Sequence, residues 1–129
     1  MQPKDVVVSY VEAFNRGDLE GLCERFTPDA LVWGVLGWGR IEKVHPIWRA
    51  LIESLEINLV IEGIMAEGYA VATRFTEQGK STKSFQGFAP TGKSDERTAM
   101  EWFEVQGERI HRHWGARDSA SQYRQLGFV

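Results

Sequence analysis

Cysteine is nearly missing from the chain: Cys23 stands alone among 129 residues. An internal disulfide needs two cysteines and a Cys-rich metal centre needs more, so both are excluded. Long apolar runs are missing too; none approaches the ~18 residues that a membrane-crossing helix requires. The opening Met1-Gln2-Pro3-Lys4-Asp5 carries no apolar run with a cleavage site, so a cytoplasmic protein without a membrane partner is expected. Positive charge is not in excess: the formal net charge is −3. Neither a basic footprint for nucleic acid nor an acidic tail is present. A phosphate loop, a dinucleotide fingerprint and a Gly-x-Ser-x-Gly elbow are absent.

What is present is an ordinary globular balance, 43% hydrophobic and 26% charged. The length suits one domain, expected to span residues 1–129. Five Trp and seven Phe are many for this length. Large aromatics fill cores and also line apolar pockets, and composition does not separate the two uses.

Pro3 suits the first turn of a helix, and Val7, Tyr10, Val11 and Phe14 recur at helical spacing. Gly17 ends that helix and Asp18 caps the next, whose stripe is Leu19, Leu22, Cys23 and Phe26. Cys23 on that stripe reads as a small buried hydrophobe. Thr27-Pro28-Asp29 reads as a turn. Ala30 to Leu36 reads as a strand, and Gly34, Gly37 and Gly39 break it up and mark a bend or loop. A third helix is expected from Arg40 to Ser54, with Pro46 either in its first turn or delaying its start to about His45. Strands come next at Asn58–Met65, Tyr69–Thr76, Ser81–Phe85, Arg97–Val105 and Arg109–Arg117. A tail from Ser119 begins weakly helical. Helices first and an antiparallel meander afterwards indicate an α+β protein.

That order resembles the SnoaL-like branch of the nuclear-transport-factor-2-like superfamily. The opening VVSYVEAFNRGDLEGLCERFTPD (residues 7–29) resembles its first helical pair. Glu67 to Arg74 resembles its central hairpin, and Gln86-Gly87-Phe88-Ala89-Pro90-Thr91-Gly92-Lys93 its glycine-containing loop. Gly107-Glu108-Arg109-Ile110 with His113-Trp114 and Asp118 resembles its end strand, and Gln125-Leu126-Gly127 its closing tripeptide. The resemblance implies a cone: a strongly curved, mostly antiparallel sheet wrapped around the N-terminal helices and enclosing a pocket. It implies a small apolar or polyketide-like ligand and a homodimer paired through the open sheet face. Its members include polyketide cyclases, epoxide hydrolases, isomerases and plain binding proteins, so the fold alone does not choose among them.

Asp118 is the first catalytic candidate. It lies four residues after Trp114, and a carboxylate beside an indole in a dry cavity holds a proton near neutral pH. In SnoaL-like cyclases the corresponding aspartate is taken as the general acid–base of an aldol closure. The competing reading is that Asp118 caps the Ser119–Tyr123 turn. His113 is the second catalytic candidate, ahead of His111, which shares its face. No third ligand stands at a telling spacing, so no metal is expected, and no cofactor. Arg74 occupies the hairpin position where related epoxide hydrolases carry an Arg followed at i+2 by Asp; here that position is Thr76, which cannot act as a base. Glu101 is a carboxylate on an apolar strand, open to catalysis or to pairing with Arg112 or His113. Trp114, Arg74, Glu101, Trp33, Trp48 and His45 are the expected substrate-binding residues. The function expected is a cofactor-independent cyclase acting by acid–base chemistry on a polyketide-like or epoxide-bearing molecule. The alternatives are a non-catalytic binding module and an epoxide hydrolase or isomerase.

Overall fold

Pro3 has no N–H to lose and opens α1 (Pro3–Asn15), with Gln2 and Asp5 closing a capping box around its first turn. Gly17, at φ +71°, makes the reversal to α2 (Leu19–Glu24), where the Asp18 carboxylate accepts from the Gly21 N–H. The computed structural model describes residues 1–34 and 36–129. It continues with β1 (Phe26–Gly34), β2 (Gly37–Gly39), α3 (Ile41–Leu55), β3 (Asn58–Glu67), β4 (Ala70–Lys80), β5 (Ser94–Gln106), β6 (Arg109–Arg117) and α4 (Ser119–Leu126). The strands form one six-stranded sheet ordered β2-β1-β6-β5-β4-β3. Every neighbouring pair is antiparallel except β1 with β6. The architecture is the expected α+β one, and the sheet stays open rather than closing into a barrel.

Strict alternation sets the two sheet faces. On β5, every second residue from Asp95 to Val105 is buried and those between are exposed. The buried face joins Phe75, Phe103 and Ile110 to Val6, Val7 and Phe14 of α1 in one core. The opposite face carries an apolar row across the sheet. Strand register sets Trp38 beside Trp33, Trp33 beside Trp114, Trp114 beside Trp102, Trp102 beside Ala72 and Ala72 beside Met65.

Several local expectations change. Gly37 and Gly39 form β2 rather than a bend or loop, and Phe26 opens β1 instead of continuing the stripe of α2. Thr27-Pro28-Asp29 is not a turn but part of β1, lying where the register with β6 shifts between Phe26 and Leu31. A strand tolerates Pro at such an irregularity because no ladder hydrogen bond is lost. The strand expected at Ala30–Leu36 starts earlier and ends at Gly34, and Val35 lies outside the described residues. Ser81–Phe85 is not a strand: the segment to Lys93 folds on itself through a Phe85–Phe88 bridge and backbone bonds joining Ser81 to Gly92 and Lys93, and it packs Phe85 and Phe88 on Phe128. Pro46 sits inside α3, past its first turn; it and Glu42, whose carbonyl it leaves open, are both exposed, so that carbonyl is not sealed from solvent. No helix among the described residues is long and apolar enough to cross a membrane.

Candidate functional site

Between α1, α3, the β1–β2 hairpin and the inner face of β4, β5 and β6 lies a cavity of about 290 Å³. Phe14, Val32, Val44, Trp48, Leu51 and Leu59 give it apolar walls. Trp33, Leu36 and Lys43 border it at the hairpin, where the Lys43 ammonium donates to the carbonyls of Leu36 (3.2 Å) and Trp38 (3.0 Å).

The remaining wall is polar, and alternation puts it there. Glu101 shares the inward face of β5 with Ala99 and Phe103, Glu77 shares that of β4 with Val71, Thr73 and Phe75, and His113 and Arg117 lie inward on β6. Tyr10 reaches the cavity from α1. Glu101 and His113 are 8% and 3% exposed, and His113 Nε2 bonds the Glu101 carboxylate. The imidazole stacks on Phe103 with centroids 4.4 Å apart and meets Tyr10 edge-on at 5.3 Å. Its other nitrogen, Nδ1, has no partner among the described residues.

Burial, reinforced by the nearby Glu101 carboxylate, pushes the Tyr10 phenol well above its ordinary range. Tyr10 is therefore a neutral donor at any physiological pH. Glu77 is fully buried and held by two guanidiniums. Arg97 Nη2 stands 2.7 Å from its Oε1, while Arg117 donates from Nε to Oε1 (3.0 Å) and from Nη2 to Oε2 (3.3 Å). Arg97 also binds Asp95. Burial works to lower the pKa of Arg117, but Glu77 and Glu101 outweigh it and the pKa rises. The arrangement is a cavity with aromatic and aliphatic walls and, along one side, a carboxylate–imidazole pair, a phenol and a braced arginine. Such a set can take a proton from carbon, return one to oxygen and hold a polarised carbonyl. No cluster of three His, Cys, Asp or Glu among the described residues is arranged to hold a metal.

The sequence profile of the SnoaL-like polyketide cyclases matches residues 4–126. The chain belongs to the SnoaL-like polyketide cyclase family. Among solved structures, IdmH of Streptomyces antibioticus, a candidate polyketide cyclase, is 30% identical with a TM-score of 0.86, covering 98% of this chain and 99% of its own. AclR of Streptomyces galilaeus, a candidate hydroxylase, is 22% identical at TM-score 0.89 over 99% and 97% of the two chains. An epoxide hydrolase of the LEH-like type from M. tuberculosis superposes at 0.75 with 17% identity, over 96% and 88%. The last two likenesses are of fold. No curated protein sequence matches the chain.

Within this SnoaL-like fold, four of the expected residues meet at the cavity: His113, Glu101, Trp33 and Trp48. The other four do not line it. Asp118 is exposed and its carboxylate accepts from the Ser121 N–H at 3.0 Å, capping α4. The strand ends one residue before it, so its side chain turns to the helix rather than inward, and the expectation of an acid–base Asp118 is withdrawn. Trp114 lies in the outer row between Trp102 and Trp33. Arg74 is exposed on that same outer face, paired with Met100. His45 is half-buried on α3, away from the lining. Sequence reasoning passed over Glu77, Arg117 and Lys43. Continuing the Val71-Thr73-Phe75 alternation by one step reaches Glu77, and that was the available signal.

Proposed function

We propose that the protein is a cofactor-independent cyclase in which Glu101, oriented by His113, is the general acid–base, acting on a small polyketide-like molecule bound in the cavity. The observation that carries this reading is the buried Glu101–His113 pair on the polar wall of a cavity whose other walls are aromatic and aliphatic. Glu101 takes a proton from a carbon next to a carbonyl. The resulting enolate carbon attacks a second carbonyl of the same molecule, and that carbonyl's oxygen takes the proton back from the pair, directly or through Tyr10, which gives its own proton and is reprotonated by the pair. One carbon–carbon bond forms, and no atom enters or leaves. The cavity contributes by folding the chain so that the two carbons meet and by excluding water.

The test is incubation with a panel of short β-polyketones and epoxide-bearing analogues, followed by mass spectrometry and chromatography for an isomer or its dehydration product. Glu101→Gln should lower turnover by about 10²–10⁴, the span typical of a lost general acid–base. Ligands that bind but return unchanged would replace this reading with a non-catalytic binding module.

A second copy of the chain is the proposed partner, seated on the outer sheet face. Six strands about 4.8 Å apart and roughly 25 Å long present on the order of 700 Å², close to the ~800 Å² each partner contributes to a stable interface. Trp102 (44% exposed), Met100 (57%) and Met65 (73%) lie on that face. A two-fold axis through the sheet sets this row against itself. Sedimentation should report a dimer that Trp102→Glu dissociates; a monomeric parent protein at micromolar concentration refutes the assembly.

A further inference from the structure

Arg117 is held along one edge only. Glu77 takes its Nε–H and one Nη2–H, while Nη1 has no protein acceptor among the described residues. The side chain is 23% exposed and lines the cavity. A guanidinium has five donors and no alternative charge state, so the unused ones are open to water or to an acceptor on a molecule in the cavity.

The strand register shows what stands next to that edge. Along β6 the inward positions are His113, Gly115 and Arg117, and Gly115 pairs with Glu101 across β5. Having no side chain, Gly115 leaves a gap between the Glu101 carboxylate and the Arg117 guanidinium. A Cβ placed there meets the Trp33 carbonyl oxygen at 3.9 Å and the Glu101 carboxyl carbon and Oε1 at 4.0 Å, with no atom of Arg117 among these nearest neighbours. A base and a cationic donor therefore flank an empty step of the strand.

The charge balance of the wall agrees. Asp95, Glu77 and Glu101 face Arg97, Arg117 and His113. With His113 neutral the group carries one net negative charge. One proton placed on the Glu101–His113 pair removes that charge, and an oxyanion on the ligand restores it. A neutral acid that enters and gives its proton to Glu101 thus leaves the buried charge unchanged, and this is the arrangement with the least desolvation cost.

We infer that the Nη1 edge of Arg117 is an oxyanion subsite, which restricts the ligand to one carrying an enolisable carbonyl or an acidic phenol, its oxygen on Arg117 and its acidic hydrogen toward Glu101. The inference rests on Glu101 as proton acceptor, as proposed above, but its test does not need turnover. The probe is 4-nitrophenol, whose phenolate absorbs in the visible, with nitrobenzene as the analogue lacking the oxygen. The parent protein should bind 4-nitrophenol as phenolate at a pH where the free probe is mostly neutral, and more tightly than nitrobenzene. Arg117→Gln should weaken 4-nitrophenol binding by about tenfold or more, the scale of a lost charged hydrogen bond. Arg117→Lys should keep part of it, and nitrobenzene binding should hold in both variants, which also reports an intact cavity. Binding of 4-nitrophenol only in its neutral form by the parent protein overturns the subsite whether or not the variants fold. An unchanged affinity and spectrum in Arg117→Gln overturns it as well. A phenolate signal that depends on Arg117, together with no conversion of any polyketone, leaves the subsite standing and removes the cyclase reading.

Discussion

Replacing Glu77 by Gln tests how the polar wall is held. The carboxylate is fully buried and accepts from or pairs with both Arg97 and Arg117 at 2.7 to 3.3 Å. Glutamine keeps the shape but removes the charge, and its amide N–H₂ opposes guanidinium donors. The buried Arg97 is then left with Asp95 alone, and the partly exposed Arg117 loses its carboxylate partner. Breaking a buried ion pair from one side costs about 3–5 kcal/mol, a large part of the ~5–15 kcal/mol by which domains are stable. Unfolding entropy near 2.1 cal/mol/K per residue gives about 0.27 kcal/mol per degree for this length, hence a melting temperature lower by roughly 11–18 °C. Calorimetry or thermal circular dichroism reads the shift. The double variant Glu77→Gln/Arg117→Met restores the balance of Arg97 with Asp95 and should melt above the single variant. A single variant within about 4 °C of the parent, or a double variant at the sum of its singles, refutes the claim that these charges act as one neutral unit.

Other outcomes rest on the same structure. Asp118→Ala should lower stability by about 1 kcal/mol, the usual worth of an N-cap, or roughly 4 °C here; Asp118→Asn should leave it nearly unchanged, and both should keep full turnover. A hundredfold loss of activity in Asp118→Asn with an unaltered melt would return that aspartate to the mechanism. Tyr10 has a folded-state pKa raised above its ordinary 10.0. The stability it contributes is complete below that value and is lost as pH rises through the folded pKa, so alkaline unfolding should begin above pH 10.0 and coincide with a tyrosinate absorbance step that Tyr10→Phe removes.

The order of elements was legible because local signals agree with the fold: Pro3 and Gly17 around α1, period-2 alternation on β4 to β6, and Asp18 and Asp118 ahead of α2 and α4. Glu101 was legible as a carboxylate among apolar neighbours. Which face of β5 turns inward was not, because Ala99-Glu101-Phe103 and Met100-Trp102-Glu104 are both partly apolar and the alternation alone does not choose. Trp38, Trp102 and Trp114 lie on the open face, Trp33 stands in that row and also borders the cavity, and Trp48 lies buried in the cavity wall, so aromatic content did not choose a side. Asp118 misled because a strand end and a helix cap coincide there, and the cap claims the carboxylate. Glu77, Asp95, Arg97 and Arg117 come from three strands and neutralise one another. In the sequence each is an isolated charge of the kind that usually faces water.

The parallel pairing of β1 with β6 has a consequence for how the chain acquires its cavity. Val32 and Trp33 lie beside His113 and Trp114, about eighty positions later in the chain. The hairpin side of the chamber meets its polar wall only when the final strand is threaded between β1 and β5. Earlier stages, including a nascent chain that ends at Glu108, hold Tyr10 and Glu101 but neither the imidazole nor the arginine of that strand. That late, long-range closure is the kind of step that slows folding. The chamber therefore depends on one long-range pairing, and loosening β6 from β1 would open its wall at His113 and Arg117 together.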